Sequence, residues 1–349
     1  MHGVGARTVE RALKVLAAEG CVKVMPRVGS VRSGANPRSV RRKNLTVGLM
    51  TRRWIGGWQG TPIYPALLEE AQRRQIEVIV IANRHRVRPT PKRCRIELPK
   101  VPWNTFDVGL LVEAEDTIAT RDPMLQKHRV LAVDQDASNY GIDSVAFADA
   151  QAGALAARHL LELGHTRFAV TEEVSDPGMA FDPCWTVRRH GFEMALGEAG
   201  AALLPQWRLP VSRRGFMQTT DDPMKSTVAA WAAAPLSKRP TALFVLALNI
   251  LGGLLEELAK HGLRVPRDLS IVTTSWVRHT DGGEQPIENG MRFTNIDFDL
   301  STLARRTFDA AAELADEKPS HGKKPRRPPK VFLVPVILTP GQSTAPPPK

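Results

Sequence analysis

The sequence predicts an α/β protein built on parallel sheets, and three observations predict it. The stretch Pro240–Val272 reads strand, helix, strand. An apolar run over Ala242–Leu248 comes first, then a helical stripe of Leu251, Leu254, Leu255 and Leu258 with Glu256, Glu257 and Lys260 outside it, then a second apolar run over Leu269–Thr274. Gly262 and Pro266 close the helix, because glycine takes the left-handed turn after a helix and proline cannot continue one. Such a unit joins neighbouring parallel strands by a right-handed connection. The second observation is that short apolar runs and amphipathic stretches alternate from Leu45 onward. Composition is the third: 349 residues, 42% hydrophobic and 24% charged, match a soluble chain long enough for more than one core. Ligands in such sheets bind outside the carboxyl ends of the strands, so the loops after Val245 and Val272 are where binding is expected.

Taken in order, residues 5–19 form an amphipathic helix with Val9, Leu13, Leu16 and Ala17 on one side and Arg7, Arg11 and Lys14 on another. Two short extended pieces follow, Val22–Met25 and Ser30–Arg32, around a turn of Pro26, Arg27, Val28 and Gly29. Ser33–Asn44 lacks periodicity and reads as a linker. Strands are then expected at Leu45–Met50, Val78–Ala82, Val108–Val112, Val130–Val133 and Val145–Phe147, with a helix over Tyr64–Arg74. Residues 84–104 are basic and Pro-rich where a regular unit places a helix, so the connection there is expected to be irregular. A helix from Asp149 ends at Leu163-Gly164-His165, where His165 reads as a C-terminal cap rather than a catalyst. The strand Arg167–Val170 follows, then a loop holding Asp182, Cys184 and Trp185, a helix from Val187, a strand near Trp207–Val211 and a helix over Pro223–Ala234. Beyond the Pro240–Val272 unit come a polar connection over Arg278–Arg292, a strand Phe293–Ile296 and a helix Leu300–Ala315. A basic Pro-rich segment, a last strand Val331–Leu338 and a tail over 341–349, expected to be disordered, complete the chain.

The net charge of +12 is unevenly placed. Residues 1–44 carry +8, residues 84–100 carry +6, and Lys323–Lys330 adds five basic side chains, which leaves the remainder net acidic. A basic head on an acidic body points to a local polyanion contact, and a basic helix followed by a basic hairpin suits DNA, the helix in the major groove and the hairpin on backbone or minor groove. The two later basic clusters read as solvated loops. No run approaches the ~20 apolar residues of a membrane span, and no signal-peptide core is present. Cys21, Cys94 and Cys184 offer neither a disulfide framework nor a zinc set, and read as free thiols in a reducing cytoplasm. Nucleophile turns of the GxSxG type, Walker loops, HExxH and a GxGxxG placed after a strand are all missing. No catalytic residue, metal or cofactor is therefore expected, and an enzyme is not the expected class.

The head carries a resemblance. Gly3-Val4-Gly5-Ala6-Arg7-Thr8-Val9, followed by Ala12-Leu13, Leu16 and Ala18-Glu19-Gly20, resembles the second half of a GntR-type winged helix-turn-helix, whose recognition helix begins Gly-Val-Ser-Arg-x-Thr-Val. Gly5 and Ala6 stand where that pattern has serine and arginine. DNA contact is expected from Arg7, Thr8, Arg11 and Lys14 on the helix and from Arg27 and Arg32 on the wing. The partial domain occupies 1–32 and the linker 33–44. The family's preceding helices fall before Met1, so the expectation is either a start further upstream or a remnant of the head.

A second resemblance covers roughly 300 residues. His159-Leu160-x-x-Leu163-Gly164-His165, Arg188-x-x-Gly191-Phe192, Pro240-Thr241-Ala242, Gly262-x-x-Val265-Pro266-x-Asp268-x-Ser270-Ile271-Val272 and Gln342-Ser343-Thr344 occur in this order. Together they resemble the effector-binding region of the LacI/GalR regulators. The resemblance implies a type I periplasmic-binding-protein-like body over 45–340, with two parallel-sheet subdomains and three crossings between them. The expected division is 45–148 with 278–299 in one, and 149–277 with 300–340 in the other. It also implies a homodimer, a DNA operator and a small-molecule effector, that is, a ligand-responsive repressor; the alternative is a small-molecule binder that has lost DNA binding.

Arg188 takes the position of the family's ligand-contacting arginine, and its fork suits paired hydroxyls or a carboxylate; a surface arginine is the plain alternative. Asp149 is either a ligand contact or a helix N-cap. Ser275 replaces a ligand-binding Asp and Trp276 follows it. Tyr64, Trp185 and Trp276 are expected on cleft loops, as stacking faces or as packing, and Asp297 near the crossover. Ala247-Leu248 stand where the family has Asn-Asp. With those carboxylates gone, unpartnered sugar hydroxyls would cost about 1–3 kcal/mol each, and a typical hexose becomes a poor fit.

Overall fold

Strands apolar on both faces must be covered on both faces, and the chain does this with two six-stranded sheets. The structure, a computed structural model, describes residues 22–25, 29–32, 45–51, 62–82, 101–112, 125–174, 183–211, 223–277, 287–288, 290–317 and 327–348. Two units divide the chain, Met1–Asn44 and Leu45–Lys349. In the first, β1 (Val22–Met25) and β2 (Gly29–Arg32) form an antiparallel hairpin with Met25 opposite Gly29. The helix expected over 5–19 lies outside the described residues, as do the linker 33–44, Arg7, Thr8, Arg11, Lys14, Arg27 and the side chain of Arg32.

In the second unit the strands are β3 (Thr46–Thr51), β4 (Glu77–Ala82), β5 (Val108–Val112), β6 (Val130–Val133), β7 (Asp143–Phe147), β8 (Phe168–Glu173), β9 (Arg208–Val211), β10 (Ala242–Phe244), β11 (Ser270–Val277), β12 (Ile287–Glu288), β13 (Met291–Arg292), β14 (Thr294–Asp299), β15 (Val331–Val334) and β16 (Ile337–Thr339). The helices are α1 (Ile63–Arg73), α2 (Asp149–Glu162), α3 (Pro183–Glu198), α4 (Pro223–Ala233), α5 (Leu251–Lys260) and α6 (Leu300–Asp316). One sheet runs β15-β7-β6-β5-β3-β4, all parallel; the other runs β16-β14-β11-β10-β8-β9, parallel except for β16. In both, the first strand of the lobe has its successor on one side and a later strand on the other. This reversal is where an α/β sheet opens a crevice at its carboxyl edge.

The helices bury the faces that their periodicity marks. α5 buries Leu251, Leu254 and Leu258 of the expected stripe; Leu255 is only half-buried, and Glu257, expected outside, is buried with its carboxylate held by Lys260 at 2.9 Å. α3 sets the Phe192 ring between Phe168 and Phe244, at 6.4 and 5.3 Å between centroids. It begins at Pro183, four residues before the expected Val187, because proline at the first helical position has no N–H to lose. Cys184 and Trp185 therefore lie on its first turn and not on a loop.

The division between the lobes differs from the expected one. β14 pairs with β11 in the second sheet, so 294–299 belongs with 149–277. α6 packs on α1 and on β5, β6, β7 and β15 of the first sheet, and Arg74, the residue that caps the end of α1, binds Asp309 on α6 at 2.6 Å. An amphipathic helix declares which face it buries but not which sheet receives it. The expected last strand, Val331–Leu338, is two strands broken at Pro335: β15 extends the first sheet in parallel and β16 the second in antiparallel. Crossings thus fall at Ala148, between Asp299 and Leu300, and at Pro335-Val336. Asp299 caps α6, its side chain accepting from the Ser301 N–H at 2.9 Å.

The tail is also ordered where disorder was expected. Ser343 is fully buried; its hydroxyl accepts from the Thr294 N–H at 2.9 Å and donates to the Ile271 carbonyl at 2.6 Å. His159 Nε2 meets the Thr344 hydroxyl at 3.0 Å. The backbone N–H of His165 closes α2 on Leu160, while its buried ring bridges the Thr241 hydroxyl and the Ala345 carbonyl, each at 2.9 Å. The ring is thus a tail latch and not a helix cap. Since a carbonyl only accepts, Nε2 carries the proton and Nδ1 accepts from Thr241.

Burial pushes His165 below its ordinary value of 6.5, with His159 and Arg167 acting in the same direction and the Ala345 carbonyl against it. Burial likewise lowers His159, against the pull of Glu162. The unfolded chain therefore binds protons below about pH 6.5 that the folded chain refuses, and stability falls as pH falls through that value. Urea melts at pH 7.5 and 5.5 should show this loss, and His165→Gln should reduce it. An unchanged slope in the variant would remove His165 as the cause.

Candidate functional site

The reversal in the second sheet lies between β8 and β10, and the residues ending these strands are polar or offer main-chain groups. The Leu246 N–H, just past β10, donates to the Thr171 hydroxyl on β8 at 2.9 Å. The Leu246 carbonyl accepts from the Thr274 hydroxyl on β11 at 2.6 Å and from Arg188 Nη1 at 2.9 Å. Arg188 is carried on the inward face of α3, and its Nε donates to Asp149 Oδ1 at 2.6 Å. The two side chains are only 8% and 9% exposed. The guanidinium carbon lies 4.4 Å above the centroid of Phe298 on β14, and Phe298 meets Phe147 edge-on at 4.9 Å. Asp149 is the first residue of α2; the cap position falls on Ala148 without a side-chain bond. The N-cap reading of Asp149 thus gives way to pairing with Arg188.

Register assembles a second polar group. Ser275 stands opposite Asp297 across β11 and β14. The Asn295 amide donates to the Ser275 hydroxyl at 2.8 Å and also to Asp297, which accepts from the Thr339 hydroxyl at 2.5 Å. Trp276, one position on, points to the other face and is 41% exposed. The structure therefore joins Asp149 with Arg188, and Ser275 with Asp297. Trp185 is buried on the first turn of the same helix as Arg188, and Tyr64 is buried in the first turn of α1; both rings pack in the core rather than on cleft loops.

Besides the Phe147–Phe298 ring contact, the Cys184 thiol reaches across the lobes and donates to the Asp134 carbonyl at 3.4 Å. Asp134 follows β6 with φ +74°. Around α3, Arg189 binds Glu193 at 2.8 Å, and Arg208 binds Glu172 at 2.7 Å and Glu193 at 2.9 Å. Loops 52–61 and 113–124, which leave β3 and β5 at the first sheet's reversal, lie outside the described residues. Among the described residues no group of His, Cys, Asp and Glu is placed to hold a metal ion, and no helix is long and apolar enough to cross a membrane.

Sequence reasoning missed Thr171, Thr274, Asn295, Phe298 and the Leu246 carbonyl. The first three had a signal, a polar residue at or near the end of an apolar run. A main-chain carbonyl has none.

Residues 157–344, more than half of the chain, match the model of a family described as a periplasmic binding protein-like domain. The chain belongs to that family. Among similar proteins, the HTH-type transcriptional repressor PurR of Vibrio vulnificus is 27% identical over 167 residues, and that of Aliivibrio fischeri strain MJ11 is 29% identical over 167. Each match spans 47% of this chain and 46% of the repressor, so the chain spans about half the length of these relatives. In solved structures the periplasmic binding protein-like fold recurs in a regulatory protein of the LacI family from Chloroflexus aggregans, with TM-score 0.63 and 15% identity, covering 86% of this chain and 98% of that one. A LacI family transcriptional regulator from Enterococcus faecium with bound ribose gives 0.54 and 19%, covering 86% and 99%. At these identities the likeness is one of fold.

Proposed function

We propose that this chain is a ligand-responsive transcriptional regulator, a repressor, whose two lobes close on a small hydroxylated metabolite. The observation that carries this reading is the polar floor of Thr171, Leu246, Thr274, Arg188 and Asp149, set at the reversal of a sheet and beside the three crossings. Closure would bend those crossings, which are tied to one another: the Ala148 N–H donates to the Val334 carbonyl at 2.9 Å, and Phe147 meets Phe298. A ligand touching both lobes stabilises the closed form by the difference in its contacts with the two states. The matched relatives are repressors, which favours the repressor reading, and the Enterococcus faecium regulator of the same fold holds ribose, which favours a sugar or sugar-like effector. The basic segment 1–32 supplies the DNA contact as a partial winged helix-turn-helix. A cytoplasmic homodimer would pass closure to its operator as a change in half-site spacing.

Two measurements test this. In a thermal-shift screen of sugars, sugar acids and nucleosides, a ligand at one hundred times its Kd adds about 2.7 kcal/mol, a rise of several degrees. In gel-shift titrations, operator binding should weaken steeply with salt. Ligand binding without any specific DNA shift by a form extended upstream of Met1 would assign the chain to metabolite binding alone.

A further inference from the structure

We infer that Asp149 is a built-in counter-anion that keeps anionic ligands off Arg188, so the effector engages this arginine through neutral hydroxyls and not through a carboxylate or phosphate. The inference rests on the effector reading above and sharpens it. An arginine in a cleft is ordinarily a signal for an acidic ligand, since its planar fork matches a carboxylate or a phosphate. Here the fork is already engaged on three sides. Nε holds Asp149 at 2.6 Å, Nη1 holds the Leu246 carbonyl at 2.9 Å, and the guanidinium face lies 4.4 Å over Phe298. With 8% and 9% of their side chains exposed, the two partners are a nearly dry pair. An entering anion would either repel Asp149 across a short distance or displace it and leave a carboxylate buried without its cation. A hydroxyl meets neither obstacle, because it can donate to Asp149 and accept from Arg188 at once.

The surroundings support the same sign. The neighbouring arginines Arg189 and Arg208 are bound to Glu172 and Glu193, and the other polar group at this edge is a carboxylate, Asp297, held by Asn295 and Thr339. Beside Arg188, the described polar groups at this edge are thus hydroxyls, the Asn295 amide, the Leu246 main chain and carboxylates. No described arginine on this edge stands apart from an acidic partner.

The test uses the full chain and two sets of probes. Ribose, ribonate and ribose 5-phosphate are titrated against the unaltered protein by thermal shift and calorimetry. Inorganic phosphate is titrated against the unaltered protein and Asp149→Asn. The expected result is binding of the neutral sugar with at least tenfold weaker binding of both anionic forms. Asp149→Asn should gain a saturable, salt-sensitive stabilisation by phosphate that the unaltered protein lacks, and Asp149→Asn/Arg188→Gln should lose it again. If Asp149→Asn does not fold, the unaltered protein with the three ribose forms decides alone. Ribonate or ribose 5-phosphate binding as tightly as ribose overturns this inference and leaves the effector reading intact, as does an Asp149→Asn protein that folds and gains no phosphate response. Failure of every sugar, sugar acid and nucleoside in the wider screen to bind overturns the effector reading and this inference with it.

Discussion

Gly153→Ala and Gly191→Ala, each made singly, are expected to lower stability by about 3 kcal/mol or more. A methyl group at Gly153 would stand 2.0 Å from the Arg188 carbonyl oxygen and 2.4 Å from the Phe192 nitrogen; one at Gly191 would stand 2.1 Å from the Ala150 oxygen. Both clashes are with backbone, so no rotamer change relieves them, and the two helices must separate. Separation would move Asp149 on α2 away from Arg188 on α3, so loss of stability and loss of ligand binding should go together. Gly197 is the internal control. It lies in the same helix with nothing within 4 Å of the added carbon, and Gly197→Ala should stabilise by about 0.5–1 kcal/mol through helix propensity alone. Urea melts of the three variants check this; a loss under 1 kcal/mol at Gly153 would mean that α2 and α3 pack less closely than described.

These glycines show what the sequence made legible. Gly191-Phe192 was visible as part of a family pattern, but the reason for the glycine was not, because the clash is with a helix some forty residues earlier in the chain. The same limit applies to the lobes. The stripe Leu303, Ala304, Phe308 and Ala311 marks a buried face on α6, yet its receiving sheet depends on a crossing at Asp299 that has no local signature. Local signals did well where the physics is local: the αL glycine Gly262 with φ +71° and the apolar runs of β5 and β6 stand as expected. The site divides in the same way. Arg188 and Asp149 were each identifiable, with two readings apiece, and only the fold could show that each partly answers the other. The tail misled for the opposite reason: its composition is that of a disordered segment, and Ser343, Thr344 and Ala345 are ordered by partners on β11, β14 and α2.

Asp149→Ala is expected to cost about 3–5 kcal/mol, the range for breaking a buried ion pair from one side. The penalty comes from the partner left behind: Arg188, 8% exposed, keeps a charge that it cannot lose at accessible pH. Arg188→Met should cost a comparable amount by stranding Asp149, and should also forfeit the contact over Phe298, itself about 0.5–2 kcal/mol. Asp149→Ala/Arg188→Met removes both charges together, so it should be distinctly less destabilised than the two single losses added. Salt sharpens the test. An exposed pair such as Arg267 with Asp268, where the arginine is 59% exposed, weakens as salt rises, whereas a pair shielded from water is screened far less. The coupling energy measured by urea denaturation should therefore survive from low salt to 0.5 M sodium chloride, about five times the ionic strength at which the screening length is already near 10 Å. A coupling that vanishes over that range would place the pair in contact with solvent. It would also remove the ground for treating Arg188 as closed to anions, since a solvated arginine can exchange one carboxylate for another at little cost.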